Sequence, residues 1–225
     1  MAISNQSAKP TSWNPGQALR ISSMLAERFR RMYNPGAMKI EPENVIKVLN
    51  RAGVKFVLMG AHGIGSWMRE PRATRDVDLL VQKSHQRKAV RAVRETYPEL
   101  LVEDFPAVTR FLDPVDKSVV IDLMKPVEDI YREALKTTVP AGKTHRILTL
   151  EMALACKFAA MTSPNRTERK KHLDAADLIA MVELHFHNID REVLFSFGEM
   201  VRDRGGRDIL KLVDDMNAGR PIPMT

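Results

Sequence analysis

Residues 60–81, "GAHGIGSWMREPRATRDVDLLV", decide how this chain is read. The stretch begins where an apolar run, Phe56-Val57-Leu58-Met59, stops at a glycine. It ends on two aspartates one residue apart, Asp76 and Asp78, followed by Leu79-Leu80-Val81. An apolar run closed by glycine, a spacer, and a second run with alternating acids predicts strand, turn, short helix and strand. Residues i and i+2 of a strand share a face, so Asp76 and Asp78 project together. Val77, Leu79 and Val81 are left to pack on the other side.

The same construction recurs downstream. In "SVVIDLMK", Val119, Ile121 and Leu123 face one way, while Asp122 shares the other face with Val120 and Met124. An acid inside an apolar strand is costly without a partner. If the two strands are neighbours, three carboxylates converge, and like charges that close need a cation among them. Mg²⁺ (or Mn²⁺), a hard ion that takes carboxylate and phosphate oxygens, fits that need. The plainer alternative is a solvated polar strand end.

Around these strands the pattern is α/β. Residues 17–33, with Leu19, Met24 and Leu25 near helical spacing, predict a basic amphipathic helix ended by "NPG" at 34–36; residues 1–16 predict a loose tail. Residues 42–52 read as a helix with Val45, Val48 and Leu49 inward, "VKFVLMG" as a buried strand, and 84–98 as a helix capped by Ser84. "AVTRFLD" and "SVVIDLMK" read as a hairpin, 127–138 as helical, and "KTHRIL" as short and extended. Helices are predicted over 150–162, 168–187, 191–203 and 207–217. The organisation is thus a tail and basic helix over 1–39, an α/β domain over 40–148, a helical region over 149–219 and a tail over 220–225.

Composition narrows the function classes. With 35 Lys+Arg against 28 Asp+Glu, the formal charge is +7, a field that suits nucleotides or RNA. Aromatics are only 6%, so no base-stacking platform is evident. No window reaches the roughly 18–20 apolar residues of a membrane span. The start lacks the character of a secretory signal, and the single cysteine, Cys156, cannot form an internal disulfide; a cytoplasmic setting is expected. His185 and His187 fall on different faces of a helix, which disfavours zinc.

Gly60 lets the backbone approach a bulky anion, with Gly63 and Gly65 able to widen that approach. Together with Met59-Gly60-Ala61, then Asp76-Val77-Asp78, then Asp122, the chain resembles the nucleotidyltransferase superfamily with the DNA-polymerase-β-like fold. "EPRATRDVDLLV" is similar to the small prokaryotic members, including the AbiEii-type toxin branch. The resemblance covers roughly residues 42–185. It implies a small mixed-sheet α/β fold followed by a helical C-terminal half. It also implies transfer of a nucleoside monophosphate from an NTP such as ATP to an acceptor hydroxyl, with release of pyrophosphate.

The implied roles follow residue by residue. Asp76, Asp78 and Asp122 would hold magnesium and carry catalysis. Gly60 and Ala61 would form the phosphate turn, with Ser66, Arg72 and Thr74 as further nucleotide contacts. Lys157 in "MALACKFAAM" and Asp177 in "KKHLDAADL" match the branch's later lysine and its K-D-x-x-D-type stretch, and would also bind nucleotide. Implied partners are the NTP, an RNA acceptor such as tRNA, and a cognate antitoxin. The chain departs from the pattern at Ala61, where the family has Gly or Ser, and in a spacer at the long end of the family range. The missing hydroxyl favours an alternative, a catalytically inactive nucleotide- or RNA-binding module of the same fold.

Overall fold

In "RDVDLLV" the alternation becomes a strand with a strand on each side. The computed structural model describes residues 15–33, 36 and 38–222. Residues 1–14 of the expected 1–16 tail, Asn34 and Pro35 of "NPG", and residues 223–225 of the C-terminal tail lie outside the described residues, while Pro15 and Gly16 belong to a helix and not to a tail.

The α/β unit comprises the described residues up to Ser66 and Glu70–Leu148. Its helices are α1 (Pro15–Tyr33), α2 (Pro42–Arg51), α3 (Gly60–Ile64), α4 (Gln86–Thr96) and α5 (Asp129–Ala134). Its strands are β1 (Phe56–Leu58), β2 (Val77–Val81), β3 (Leu101–Asp104), β4 (Val108–Leu112), β5 (Val119–Met124), β6 (Thr138–Ala141) and β7 (His145–Leu148). They form one mixed sheet in the order β3-β4-β5-β2-β1-β7-β6. β2 is parallel to β5 and antiparallel to β1, while β7 is parallel to β1. This is the α/β mixed sheet with a helical C-terminal half that the sequence led us to expect.

Burial follows the pleat. Val77, Leu79 and Val81 of β2 and Ile121 and Leu123 of β5 are fully buried, as are Ala89 and Val93 of α4. Pro42, pre-set for a first helical turn, opens α2, whose buried residues include Val45, Ile46 and Leu49. Val48 is only half-buried, so Ile46 takes the inward place expected of it. In α1, Ala18, Leu19 and Ser22 are buried but Met24 is 70% exposed, so the buried stripe is narrower than the spacing suggested.

Other differences have local causes. β3 is exposed at all four residues and thus lacks the half-buried signature of a strand. β6 contains Pro140, which a strand tolerates at a sheet edge, and β6 is the last strand of the order. α5 stops at Ala134, earlier than the expected 127–138, and Thr138 belongs to β6 instead. The cap of α4 is His85 and not Ser84, because residues 83–85 form a separate 3₁₀ turn.

The helical unit comprises the described residues from Thr149 onward and Trp67–Arg69. Its helices are α6 (Leu150–Thr162), α7 (Glu168–His185), α8 (Arg191–Val201) and α9 (Gly205–Asn217). α6 is buried continuously from Leu150 to Phe158, as an apolar helix in a bundle centre should be. Thr149 and Asp190 cap α6 and α8 with their side chains. Gly198 and Gly205 let α8 and α9 touch backbone to backbone, since a Cβ on Gly205 would lie 2.1 Å from the Gly198 carbonyl oxygen. Among the described residues no helix is long and apolar enough to cross a membrane.

Candidate active site

The two strands that carry acids are neighbours. Asp78 and Asp122 are Cα partners across the parallel β2/β5 pair, so both carboxylates leave the same face of the sheet side by side. Asp76 lies two residues before Asp78 and one residue ahead of β2. Asp122 also pairs in register with Arg110 of β4, and Arg110 Nε stands 3.6 Å from Asp122 Oδ1. The Arg110 guanidinium lies 5.3 Å over the Phe105 ring.

Like charges directly opposite on adjacent strands are destabilising. Arg110 offsets part of this at Asp122 from the flank. Asp76 accepts a hydrogen bond from the Thr74 hydroxyl. Among the described residues no group of three or more His, Cys, Asp or Glu side chains is gathered as a metal cage. Asp122 leans toward Arg110 and Asp76 is held by Thr74. The in-register carboxylates nonetheless fit a hard dication, because that row of like charge calls for positive charge between its members.

Gly60 is what lets Asp78 sit where it does. Its φ is +58°, and a Cβ there would lie 1.9 Å from Asp78 Oδ2. Met59 N donates to Asp78 O at 2.8 Å, which ties the turn to β2. Gly63 packs on the end of β1, where a Cβ would meet the Leu58 carbonyl oxygen at 2.3 Å. Gly65 has only ordinary contacts at 3.6 Å, so the structure gives no close approach that requires it. Gly60→Ala is expected to cost about 1–3 kcal/mol from the left-handed backbone alone and to push the Asp78 carboxylate aside. A thermal melt read together with Mn²⁺ affinity checks it: both should fall.

The remaining expected contacts fall in both units. Ala61 and Ser66 are buried, and Thr74 adjoins Asp76. The Arg72 carbonyl accepts from the Ser22 hydroxyl at 2.8 Å, which ties the segment before β2 to α1. Lys157 and Asp177 belong to the helical unit. Lys157 Nζ lies 2.8 Å from Asp174 Oδ1 and 2.7 Å from Asp177 Oδ2, and Arg166 Nε lies 2.7 Å from Asp174 Oδ2. Asp177 is thus a buried partner of Lys157 and not a surface acid.

Two solved structures resemble this chain. One is an antigenic nucleotidyltransferase-like protein from Paracoccidioides brasiliensis, 16% identical over 88% of this chain and 93% of that one, with a TM-score of 0.43. The other is terminal uridylyl transferase 4 from Trypanosoma brucei with bound GTP, 10% identical over 77% of this chain and 74% of that one, with a TM-score of 0.29. No family model matches the sequence, and no curated protein matches it.

Two side chains beside the carboxylates were not anticipated. Counting outward from "PVDK" would set Arg110 across the hairpin from Ile121; a bulge between Phe111 and Leu112 shifts the register by one and brings Arg110 opposite Asp122. His62 left only a faint signal, a single imidazole in the otherwise small and apolar run after Gly60. It is 5% exposed. Burial lowers its pKa to about 4, opposed by the nearby Asp76 carboxylate and reinforced by Arg72.

This shift sets a pH dependence. A histidine with a depressed folded pKa leaves the unfolded chain binding more protons, so stability falls as pH drops from about 6.5 to about 4. The loss for His62 is about 3 kcal/mol across that window. Urea unfolding at pH 7 and pH 4 should show wild type losing that much more stability than His62→Gln. Groups that titrate in both proteins cancel in the comparison.

Proposed function

We propose that this chain is a metal-dependent nucleotidyltransferase. The observation that carries the reading is the in-register pair Asp78–Asp122, with Asp76 two residues upstream and Gly60 beneath the Asp78 carboxylate. Two adjacent acids on a strand pair reduce stability, and such a liability is retained where chemistry uses it.

In this reading Asp76, Asp78 and Asp122 would hold Mg²⁺. The ion supplies charge neutralisation of the triphosphate and a lowered barrier to in-line displacement. Asp122, set between Asp78 and Arg110, takes the proton of the acceptor hydroxyl as its oxygen bonds to the α-phosphorus. The bond from that phosphorus to the β-phosphate oxygen breaks, and pyrophosphate leaves. Thr74 holds Asp76 in place. The first turn of α3, with Gly60 and Ala61, faces the phosphates through its backbone. The net charge of +7 favours an RNA end, such as that of tRNA, as acceptor.

The test is incubation with labelled NTPs, Mg²⁺ and a cell extract. Wild type should label a product and release pyrophosphate; the Asp76→Ala/Asp78→Ala variant should not. Identical labelling by both would end the proposal. One observation favours a second reading. Ala61 is buried and contributes no hydroxyl at the turn, as in a module that binds nucleotide without transferring it. Calorimetric nucleotide binding with no pyrophosphate release under any acceptor would select that reading. For a toxin-like action on tRNA, expression should arrest growth, and Asp76→Asn should relieve the arrest.

A further inference from the structure

A cavity of about 180 Å³ opens within the α/β unit between α1, the segment before α2 and the sheet. Its lining includes Val120, two residues from Asp122 on the same face of β5, and Thr74, whose hydroxyl binds Asp76. The cavity therefore continues the carboxylate site along the sheet. Met38 and Ile40 give it an apolar wall. His62 also lines it, and among the described residues its Nδ1 has no hydrogen-bond partner although the ring is 5% exposed.

A buried polar atom whose hydrogen bond is unmade carries a desolvation penalty that a ligand can relieve. The charged groups around the cavity are otherwise engaged. Glu27 binds Arg30 at 2.8 Å and Arg31 at 2.6 Å, Glu41 binds Lys39 at 2.6 Å, and Arg75 binds Asp116 at 3.0 Å. Asp113 accepts from the amides of Met38 at 2.6 Å and Val115 at 2.8 Å. What the cavity offers is an apolar slot with one neutral imidazole edge, since the depressed pKa keeps His62 uncharged near neutrality. Its volume is below the roughly 300 Å³ at which drug-sized sites begin, so it admits a ring and not a whole nucleotide.

We propose that this cavity is a base pocket, which takes a purine or pyrimidine ring and reads one edge of it through His62 Nδ1. This deepens the nucleotidyltransferase reading and rests on it for the phosphates that reach Asp78. The base belongs either to the NTP or to the terminal nucleoside of the acceptor.

The experiment is calorimetric titration of the full chain with the four nucleosides in EDTA, and with Mg²⁺–triphosphate lacking a base. Wild type should bind at least one nucleoside with preference among the four. His62→Ala should weaken that binding at least tenfold and leave Mg²⁺–triphosphate affinity unchanged. Met38→Trp, which narrows the mouth and leaves the imidazole intact, should do the same and covers the case in which His62→Ala fails to fold. If nucleoside and NTP compete, the base is the donor's; if they bind together, it is the acceptor's. Nucleoside affinity and preference untouched by both variants, or no nucleoside binding at all, would overturn the base pocket. Mg²⁺–triphosphate binding that still depends on Asp78 would then leave the nucleotidyltransferase reading standing, and its absence would remove both.

Discussion

Asp122→Asn should lower nucleotidyl transfer roughly 10³-fold, equivalent to about 4 kcal/mol of transition-state stabilisation. The same change should leave the melting temperature unchanged or slightly higher. Asparagine keeps the shape of the side chain and removes one of two like charges that face each other across β2 and β5. The partner left behind, Arg110, has a side chain that is 37% exposed, although its Nε is buried, and an asparagine oxygen can still face that Nε, so losing the 3.6 Å ion pair carries a small penalty. A structural role for Asp122 would give the opposite pattern, with stability lost and activity lost only in proportion. Measuring both on one preparation separates a catalytic acid from a packing acid.

The second large effect is on stability and lies in the helical unit. Lys157 is 8% exposed and Asp174 and Asp177 are each 1% exposed. The lysine ammonium holds both carboxylates within 2.8 Å. Lys157→Met removes that charge and leaves two buried acids on α7, with Arg166 still paired to Asp174. Breaking a buried ion pair from one side typically costs about 3–5 kcal/mol, and that is the loss expected in denaturant unfolding. A lysine kept chiefly to hold triphosphate would behave differently: removal would weaken nucleotide binding and barely move the unfolding midpoint. Adding Asp177→Leu to Lys157→Met should recover part of the loss, because it removes one of two buried like charges that no longer share the ammonium.

Particular residues show how far the sequence could be read. The faces of β2 and β5 followed from period-two alternation, which is local, and the buried Val77, Leu79, Ile121 and Leu123 agree with it. That the strands are adjacent and in register is a long-range fact, and alternation cannot supply it. The sheet decides it by threading β2 between β1 and β5. β3 and β6 escaped notice because one has no buried face and the other contains a proline. The charge on Lys157 in an apolar helix was a visible anomaly, and two acids of α7 now account for it. Gly60 was read as room for a phosphate, and the structure adds that it is room for Asp78. His62 and Arg110 could not be placed from composition or spacing, because their importance comes from what surrounds them.

The most direct test of the central claim is a crystal structure of the full chain with Mn²⁺ and a non-hydrolysable NTP. The expected result is an anomalous manganese peak ligated by Asp78 and Asp122, with Asp76 and the phosphates completing its shell above Gly60. Nucleotide bound elsewhere, or carboxylates that hold no metal under those conditions, would contradict it.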